Sequence, residues 1–380
     1  MKMPLLSSGS VQFGQHSLCK EGTTLEPHRL LFKTACIPML DYGQQTMRIK
    51  AIRIHENGEP DVLKWEDVEL AVPASGEARV RHTAIAVNFS DVNVRRGGFY
   101  LARPLKFPVI LGNEAAGVVE SIGPNVAGLR PGDRVAYVGT GGPFYENTGA
   151  YAEVRNLPAS CLIKLPDSIS DVQAAALMLK GLTASMIVNR VFRPKTGDTL
   201  LIHGAASGVG LLLCAWSKHL GAATFGTIGS REKASIARAH GCDHPILYRE
   251  ADFVTEVRKM APEGVSAVFD GVGKDTFMKS LDCLRPFGMI VNYGNTSGHP
   301  PPLDLILLAK KGSLSVNRPG VSSYLANPGV MEAACTELFD LVRSGILRPE
   351  IKFTYALRDA AQAHRDLEDR KTVGSVVLVV

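Results

Sequence analysis

Few features of this chain belong to any specialised class of protein. Its 380 residues hold seven cysteines, at 19, 36, 161, 214, 242, 283 and 335. Their number is odd and their spacing scattered, which argues against a disulfide framework and suits a reducing, cytoplasmic compartment. No apolar stretch approaches the length of a membrane span, and the first residues lack the apolar core and cleavage site of a secretory signal. The net charge of +5 is mild. No lysine/arginine block is dense enough for a nucleic-acid groove, so neither a membrane nor a nucleic acid is expected as the main partner. What remains is the balance of a soluble enzyme, 45% hydrophobic and 21% charged, with length enough for two domains.

Residues 1–46 carry Ser, Gly, Gln and Pro with little periodicity. They read as a disordered extension or an early start, with the folded chain opening at the strand 47–54. From 47 to 171 the pattern is β-rich. Short alternating runs (78–85, 117–122, 133–138) are separated by Gly/Pro turns such as Pro131-Gly132-Asp133. From 172 to 318 the rhythm becomes helix, strand, helix, strand, which predicts a parallel sheet with helices on both faces. The tail 376–380 is a strand in need of a partner. The expected organisation is therefore α/β: a discontinuous β-rich domain (47–171 and 319–380) and a doubly wound parallel-sheet domain (172–318).

The most informative stretch is Leu200-Leu201-Ile202-His203-Gly204-Ala205-Ala206-Ser207-Gly208-Val209-Gly210. An apolar strand breaks into small residues and a helix follows. That layout offers a diphosphate the free N–H groups of a helix N-terminus, provided no side chain intervenes. Ala206, Ser207, Gly208, Val209 and Gly210 are the expected contacts, although Ala and Ser replace the first two glycines of the strict fingerprint. The next strand, 223–228, ends at Gly229, where NAD-selective folds place an acid for the ribose 2′-hydroxyl. Glycine removes that acid, and Ser230, Arg231 and Lys233 supply a donor and countercharge for a 2′-phosphate. The chemistry points to NADPH, although the same residues also suit the exposed first turn of a helix.

From Met47 onward the sequence resembles the medium-chain dehydrogenase/reductase superfamily, and within it the zinc-independent NADPH:quinone oxidoreductases, the zeta-crystallin-like branch. The residues carrying this include Asn88-Phe89-Ser90-Asp91, with Arg95, Gly97 and Tyr100 following, and Gly112-Asn113-Glu114-Ala115-Ala116-Gly117. Others are the 205–210 turn, Gly226-Thr227-Ile228-Gly229-Ser230 with Lys233, Tyr248-Arg249-Glu250, and Asn292-Tyr293-Gly294-Asn295. The resemblance implies a GroES-like substrate domain, a Rossmann domain and an active site between them. It also implies Tyr248, Asn292 and Arg370 as further cofactor contacts. A homodimer through the edges of the Rossmann sheets follows too, for which 281–293 has the apolar content.

Zinc-dependent relatives use an early Cys, the His of a Gly-His-Glu motif, and a later Cys or acid. Here the early segment is Ala86-Val87-Asn88-Phe89-Ser90-Asp91, and the second motif reads Gly112-Asn113-Glu114. Asn is no substitute for imidazole, and 140–149 lacks the cysteines of a structural zinc lobe. No metal is expected, and His82, His203 and His299 are read as surface or hydrogen-bonded core residues. Without a Lewis acid, the feasible chemistry is hydride transfer to an acceptor that is already electrophilic. Asn88 is the expected side-chain amide at the nicotinamide or acceptor, Tyr100 a hydrogen-bond donor to the acceptor oxygen, and Asp91 the residue that orders their loop. Asn88 and Asp91 equally fit a helix cap, Tyr100 a packed ring, and Tyr248 a packed strand end. Asn93 stands where such quinone reductases often carry an aromatic residue, which makes the pocket more polar. Three functions follow: an NADPH:quinone reductase, an NADPH-dependent enone or enal reductase, or an NADPH-binding protein with a structural or RNA-binding role.

Overall fold

The computed structural model describes residues 46–98, 104–139 and 148–380; the 1–45 extension lies outside the described residues. The first half is built from β1 (Met47–Ile54), β2 (Lys64–Leu70), β3 (Glu77–Val87), β4 (Val109–Ile110), β5 (Glu114–Ile122), β6 (Arg134–Val138), β7 (Val154–Pro158) and β8 (Ile163–Lys164), with α1 (Phe89–Arg95) after β3. β1 lies antiparallel to β2 from Met47↔Leu70 to Arg53↔Lys64. In β3 the period of two puts Ala78, Val80, His82 and Ala84 inside, with the more exposed Arg79, Arg81 and Thr83 between them.

The second half contains α2 (Asp171–Met186), β9 (Thr199–Ile202), α3 (Gly208–His219), β10 (Ala223–Ile228), α4 (Arg231–Ala239), β11 (His244–Leu247), α5 (Phe253–Met260), β12 (Val265–Asp270), α6 (Phe277–Ser280), β13 (Leu284–Asn292), α7 (Leu305–Lys310), β14 (Ser315–Asn317), α8 (Val321–Leu325) and α9 (Pro328–Arg343). Its sheet is wholly parallel in the order β11-β10-β9-β12-β13-β14. Counted within the domain this is 3-2-1-4-5-6, the doubly wound order whose switch point lies beside the first strand, here β9. The stretch 281–293 does not form the free edge: β13 is flanked by β12 and β14, so the edge is β14.

The chain ends with β15 (Phe353–Ala356), α10 (Ala360–Glu368) and β16 (Val376–Val379). β16 pairs antiparallel with β3, from Val376↔Val87 to Val379↔Ala84. The expected boundary at 319 places α9 in the β-rich domain, but its Ala334, Cys335, Leu338 and Phe339 pack in one core with α2. The chain returns to the first sheet only at β15.

α2 joins the two halves. Ser170 Oγ accepts from Gln173 N, and Gln173 Oε1 accepts from Ser170 N, a reciprocal N-terminal cap. Its apolar side chains share a core with Ala84, Ala116 and Ala136 of the first sheet and with Leu200, Ile202 and Leu212 of the second. The alanines let the helix approach the sheet closely. Asp171–Val191 is long and apolar enough to cross a bilayer, contrary to the expectation from sequence, but 72% of its apolar window is buried in the fold. It is a core helix.

Candidate functional site

The turn after β9 is shaped by backbone contact. Gly204 has φ +65°, outside the range most side chains tolerate. A Cβ at Gly210 would stand 2.3 Å from the Gly204 carbonyl oxygen, and one at Gly208 would stand 2.5 Å from Lys180 Cδ. Ser207 caps α3 by accepting from Gly210 N at 3.1 Å. The N–H groups of Gly208 and Val209, both lining the cleft, stay uncapped at the positive end of a helix dipole. Ser207 also lines it and Ala206 lines the neighbouring cavity, while Gly210 is buried and serves packing.

One side of the turn opens into a cavity of about 650 Å³ at the ends of β10 and β11. Ser230, Lys233, Tyr248, Arg249 and Arg370 line it, and the strand end is Gly229. Lys233 Nζ donates to the carbonyls of Arg370 (2.5 Å) and Thr372 (2.8 Å), and burial lowers its ammonium pKa. Arg370, at φ +57°, donates to Tyr248 Oη at 3.3 Å. Tyr248 is therefore not a simple packing residue. Arg231 departs from expectation. It is exposed and pairs with Glu250 at 3.1 Å, outside the cavity lining, because the first turn of α4 points it to solvent. Arg249 takes that place; it stood inside the Tyr248-Arg249-Glu250 motif, but sequence spacing alone did not single it out.

On the other side is a cavity of about 450 Å³ lined by Asn88, Asn93, Lys180, Thr183, Tyr293 and Arg318, among others. Its described lining contains two cations, Lys180 and Arg318, and no carboxylate. Asn88 is buried at the N-cap of α1, in a capping box with Asp91, and its side chain also bonds away from the helix. Nδ2 donates to Glu114 Oε1 (2.7 Å), and Oδ1 accepts from Lys180 Nζ (2.7 Å). Glu114 Oε2 also accepts from Leu179 N at 2.6 Å. Asp91 orders the helix start, its Oδ2 accepting from Asn88 N at 2.9 Å, and it also accepts from Asn113 Nδ2 at 2.9 Å. Tyr100 lies outside the described residues. Asn292 is not in the cleft: its amide donates to the Asp270 and Gly294 carbonyls and accepts from Arg318 Nη1. It holds Arg318, and its neighbours Tyr293, Gly294 and Asn295 reach the cavity. Lys180 and Glu114 were not singled out from the sequence. The lysine sits in an otherwise apolar helix, which reads as core.

Behind Asn88 runs a buried polar chain. Arg95 Nη1 approaches His364 Nδ1 (3.2 Å), His364 Nε2 meets Tyr151 Oη (3.0 Å), and Tyr151 donates to Asp91 Oδ2 (3.2 Å). A neutral His364 protonated at Nε2 accepts from Arg95 and donates to Tyr151, which leaves the Tyr151 hydroxyl free to donate to Asp91. Burial, reinforced by Arg95, pushes its pKa down to about 3. His82 is likewise a hydrogen-bonded core residue, held by the Ala152 carbonyl and Tyr137 and lowered by burial to about 4. Burial raises Asp91 to about 7.

These shifts oppose one another as pH falls. Below about 6.5 the unfolded chain protonates both histidines while the folded one does not, so stability is lost. Asp91 works the other way: between about 7 and 4 the folded state holds a proton that the unfolded state lacks, and stability is gained. From pH 6.5 to 4 the unfolded state holds one proton more for these three groups, a loss of about 1.4 kcal/mol per pH unit. His364→Gln is expected to melt lower at pH 7 and to show a flatter acid limb in a thermal-shift pH series. An acid limb as steep as in the unsubstituted protein would refute this account.

A doubly wound sheet facing a β-rich half across a polar cleft defines a two-domain dinucleotide-binding protein. Residues 74–167 match the alcohol dehydrogenase GroES-like domain and residues 240–378 the zinc-binding dehydrogenase family. The chain is 43% identical over 331 residues to a quinone oxidoreductase of Pseudomonas aeruginosa, covering 87% of this chain and 99% of that one. It is 41% identical over 338 residues to a 2-haloacrylate reductase of a Burkholderia species, with the same coverage. The crystal structure of Escherichia coli quinone oxidoreductase complexed with NADPH superposes with a TM-score of 0.82 at 39% identity, covering 87% of this chain and all of that one. The chain belongs to the medium-chain dehydrogenase/reductase superfamily and, within it, to the quinone oxidoreductase family. Despite the family model's name, no group of three or more His, Cys, Asp or Glu among the described residues is placed to hold a metal ion.

Proposed function

We propose that this protein reduces a small quinone with NADPH and without a metal. The observation that carries the reading is the paired cavities, which meet at the Gly204–Ser207 turn and bear cations at one end and Asn88 with Lys180 at the other. NADPH supplies the hydride. Ser230, Lys233, Tyr248, Arg249 and Arg370 would hold its 2′-phosphate, and the N–H groups of Gly208 and Val209 its diphosphate. Asn88 would orient the nicotinamide or the acceptor, and the cationic lining would meet the negative charge that develops on the acceptor oxygen. The test is NADPH oxidation with a set of small quinones against a set of activated alkenes; silence on the quinones refutes the reading. A second reading, reduction of an activated alkene, is favoured by the polar Asn93 in the cavity lining and by the 2-haloacrylate reductase relative.

Zinc independence rests on the residues at the ligand positions, since Asn113 is engaged with Asp91. Purified protein is expected to hold well below one zinc per chain and to keep its activity in chelator. One tightly bound zinc by elemental analysis overturns this.

A homodimer is the proposed assembly, with β14 as the pairing edge. Val316 on that edge is 38% exposed, and Phe287, Leu305 and Ile306 on neighbouring segments are 81%, 74% and 59% exposed. Light scattering is expected to give twice the chain mass, and a monomer at micromolar concentration refutes it. Cytoplasmic residence suits the five free cysteines of the described residues.

A further inference from the structure

Quinone reduction needs a proton as well as a hydride, and the described lining of the cavity has few sources of one. His203 lines it, but Nδ1 is held by Thr227 Oγ1 at 3.0 Å and Nε2 by Ser280 Oγ at 2.8 Å. Burial also keeps that imidazole neutral. Tyr293 is a partly buried phenol that desolvation pushes well up from its usual range, and the Arg318 guanidinium does not release protons. Lys180 remains. It is 8% exposed, lines the cavity, and donates to Asn88 Oδ1 at 2.7 Å. The charges facing it are Glu114 of β5, whose Oε1 is 3.5 Å from Nζ, and Asp91 of α1. Its stem lies under Gly208, where a Cβ would strike it, so the ammonium is fixed beside the cofactor turn. Lys180 also fixes Asn88, because it donates to the amide oxygen while Glu114 accepts one hydrogen of the amide nitrogen, leaving the second hydrogen and lone pair available.

Building on the quinone-reductase reading, we propose that Lys180 is a catalytic acid that protonates the reduced acceptor. The quinone gains a hydride and becomes the hydroquinone monoanion; the Lys180 Nζ–H bond breaks as the new O–H bond forms. The neutral amine then regains a proton from water. The match is geometric: the ammonium is fixed on the cavity wall, where a donor can meet the negative charge that develops on the acceptor oxygen. Glu114, at the amine, stabilises the return of the ammonium.

The experiment compares the unsubstituted protein with Lys180→Met and Lys180→Arg, following kcat against pH with a fixed quinone and NADPH affinity by fluorescence. Lys180→Met is expected to lose about 10²–10⁴-fold in kcat, to keep its NADPH Kd within about threefold, and to lose the alkaline limb of the profile. Lys180→Arg keeps a charge and a donor but no releasable proton, so it is expected to remain slow. A third variant, Lys180→Cys alkylated with bromoethylamine, restores an ammonium more acidic than that of lysine. It is expected to recover activity with its alkaline limb at lower pH; the unsubstituted protein treated identically is its control. Full activity in Lys180→Arg, or an unchanged alkaline limb in Lys180→Met, overturns the proposal and assigns the proton to another group or to water. A protein that reduces no quinone at all instead refutes the functional reading on which it rests.

Discussion

Gly229→Asp is expected to turn the preference of this protein from NADPH towards NADH, moving the ratio of their kcat/KM values by about 10²–10³-fold. The position follows β10 and borders the cavity that holds Ser230, Lys233, Tyr248, Arg249 and Arg370. A Cβ there would meet Tyr248 Oη at 3.4 Å, an ordinary contact, so the new side chain enters without displacing backbone. An aspartate adds repulsion toward a 2′-phosphate and an acceptor for a free 2′-hydroxyl. Losing one charge-assisted contact is worth about 1.5–3 kcal/mol, and two opposed changes of that size reach the stated ratio even after discounting for exposure. Lys233→Ala should act more weakly and differently. Its ammonium ties the Arg370 and Thr372 carbonyls, so removing it loosens Arg370 as well as weakening the phosphate site. The KM for NADPH is expected to rise roughly tenfold while kcat for a fixed quinone holds, since the contact is remote from the reacting carbon. An unsubstituted protein that already prefers NADH would overturn this account of the strand end.

Much of this site is local in sequence. The strand, turn and helix around residues 199–219 are contiguous, so small residues and apolar runs expose them; α3 spans Gly208–His219 and β10 spans Ala223–Ile228, as the pattern predicts. Local patterns fail where a side chain can turn either way at the same backbone position. Arg231 and Arg249 are both cations near the end of a strand, and only the fold decides that the first pairs with Glu250 while the second faces the cavity. Asn292 is similar: it is adjacent to cavity residues but spends its amide on Asp270 and Gly294. Lys180 was hidden for a different reason. Eleven of its helix companions are buried with it, and an isolated lysine in such a run carries no period to read. Its meaning depends on Asn88 and Glu114, which lie far off in the chain and meet it only because α2 packs across β3 and β5.

Removing Arg95 should cost the fold more than any other change in the buried chain behind Asn88. Its side chain is fully buried, 2.7 Å from Glu368 Oε1, and Nε donates to the Gly58 carbonyl at 3.0 Å. Burial lowers the guanidinium pKa and Glu368 opposes that shift, so the pair persists because each charge compensates the other. Arg95→Met keeps the bulk but strands Glu368, whose side chain is 12% exposed, and leaves His364 Nδ1 and the Gly58 carbonyl without their donor. Breaking a buried pair in this way typically costs about 3–5 kcal/mol. Arg96 still reaches Glu368 from a half-exposed position, which places the expected loss near the lower end, with a fall in Tm on the order of 10 °C. Because the penalty comes from an uncompensated carboxylate, adding Glu368→Gln to Arg95→Met should recover about 1 kcal/mol or more, whereas Glu368→Gln alone should destabilise. Urea unfolding of the four proteins closes that cycle. A loss below about 1 kcal/mol for Arg95→Met, or a double variant no more stable than the single one, would mean that packing rather than charge pairing holds this end of α1.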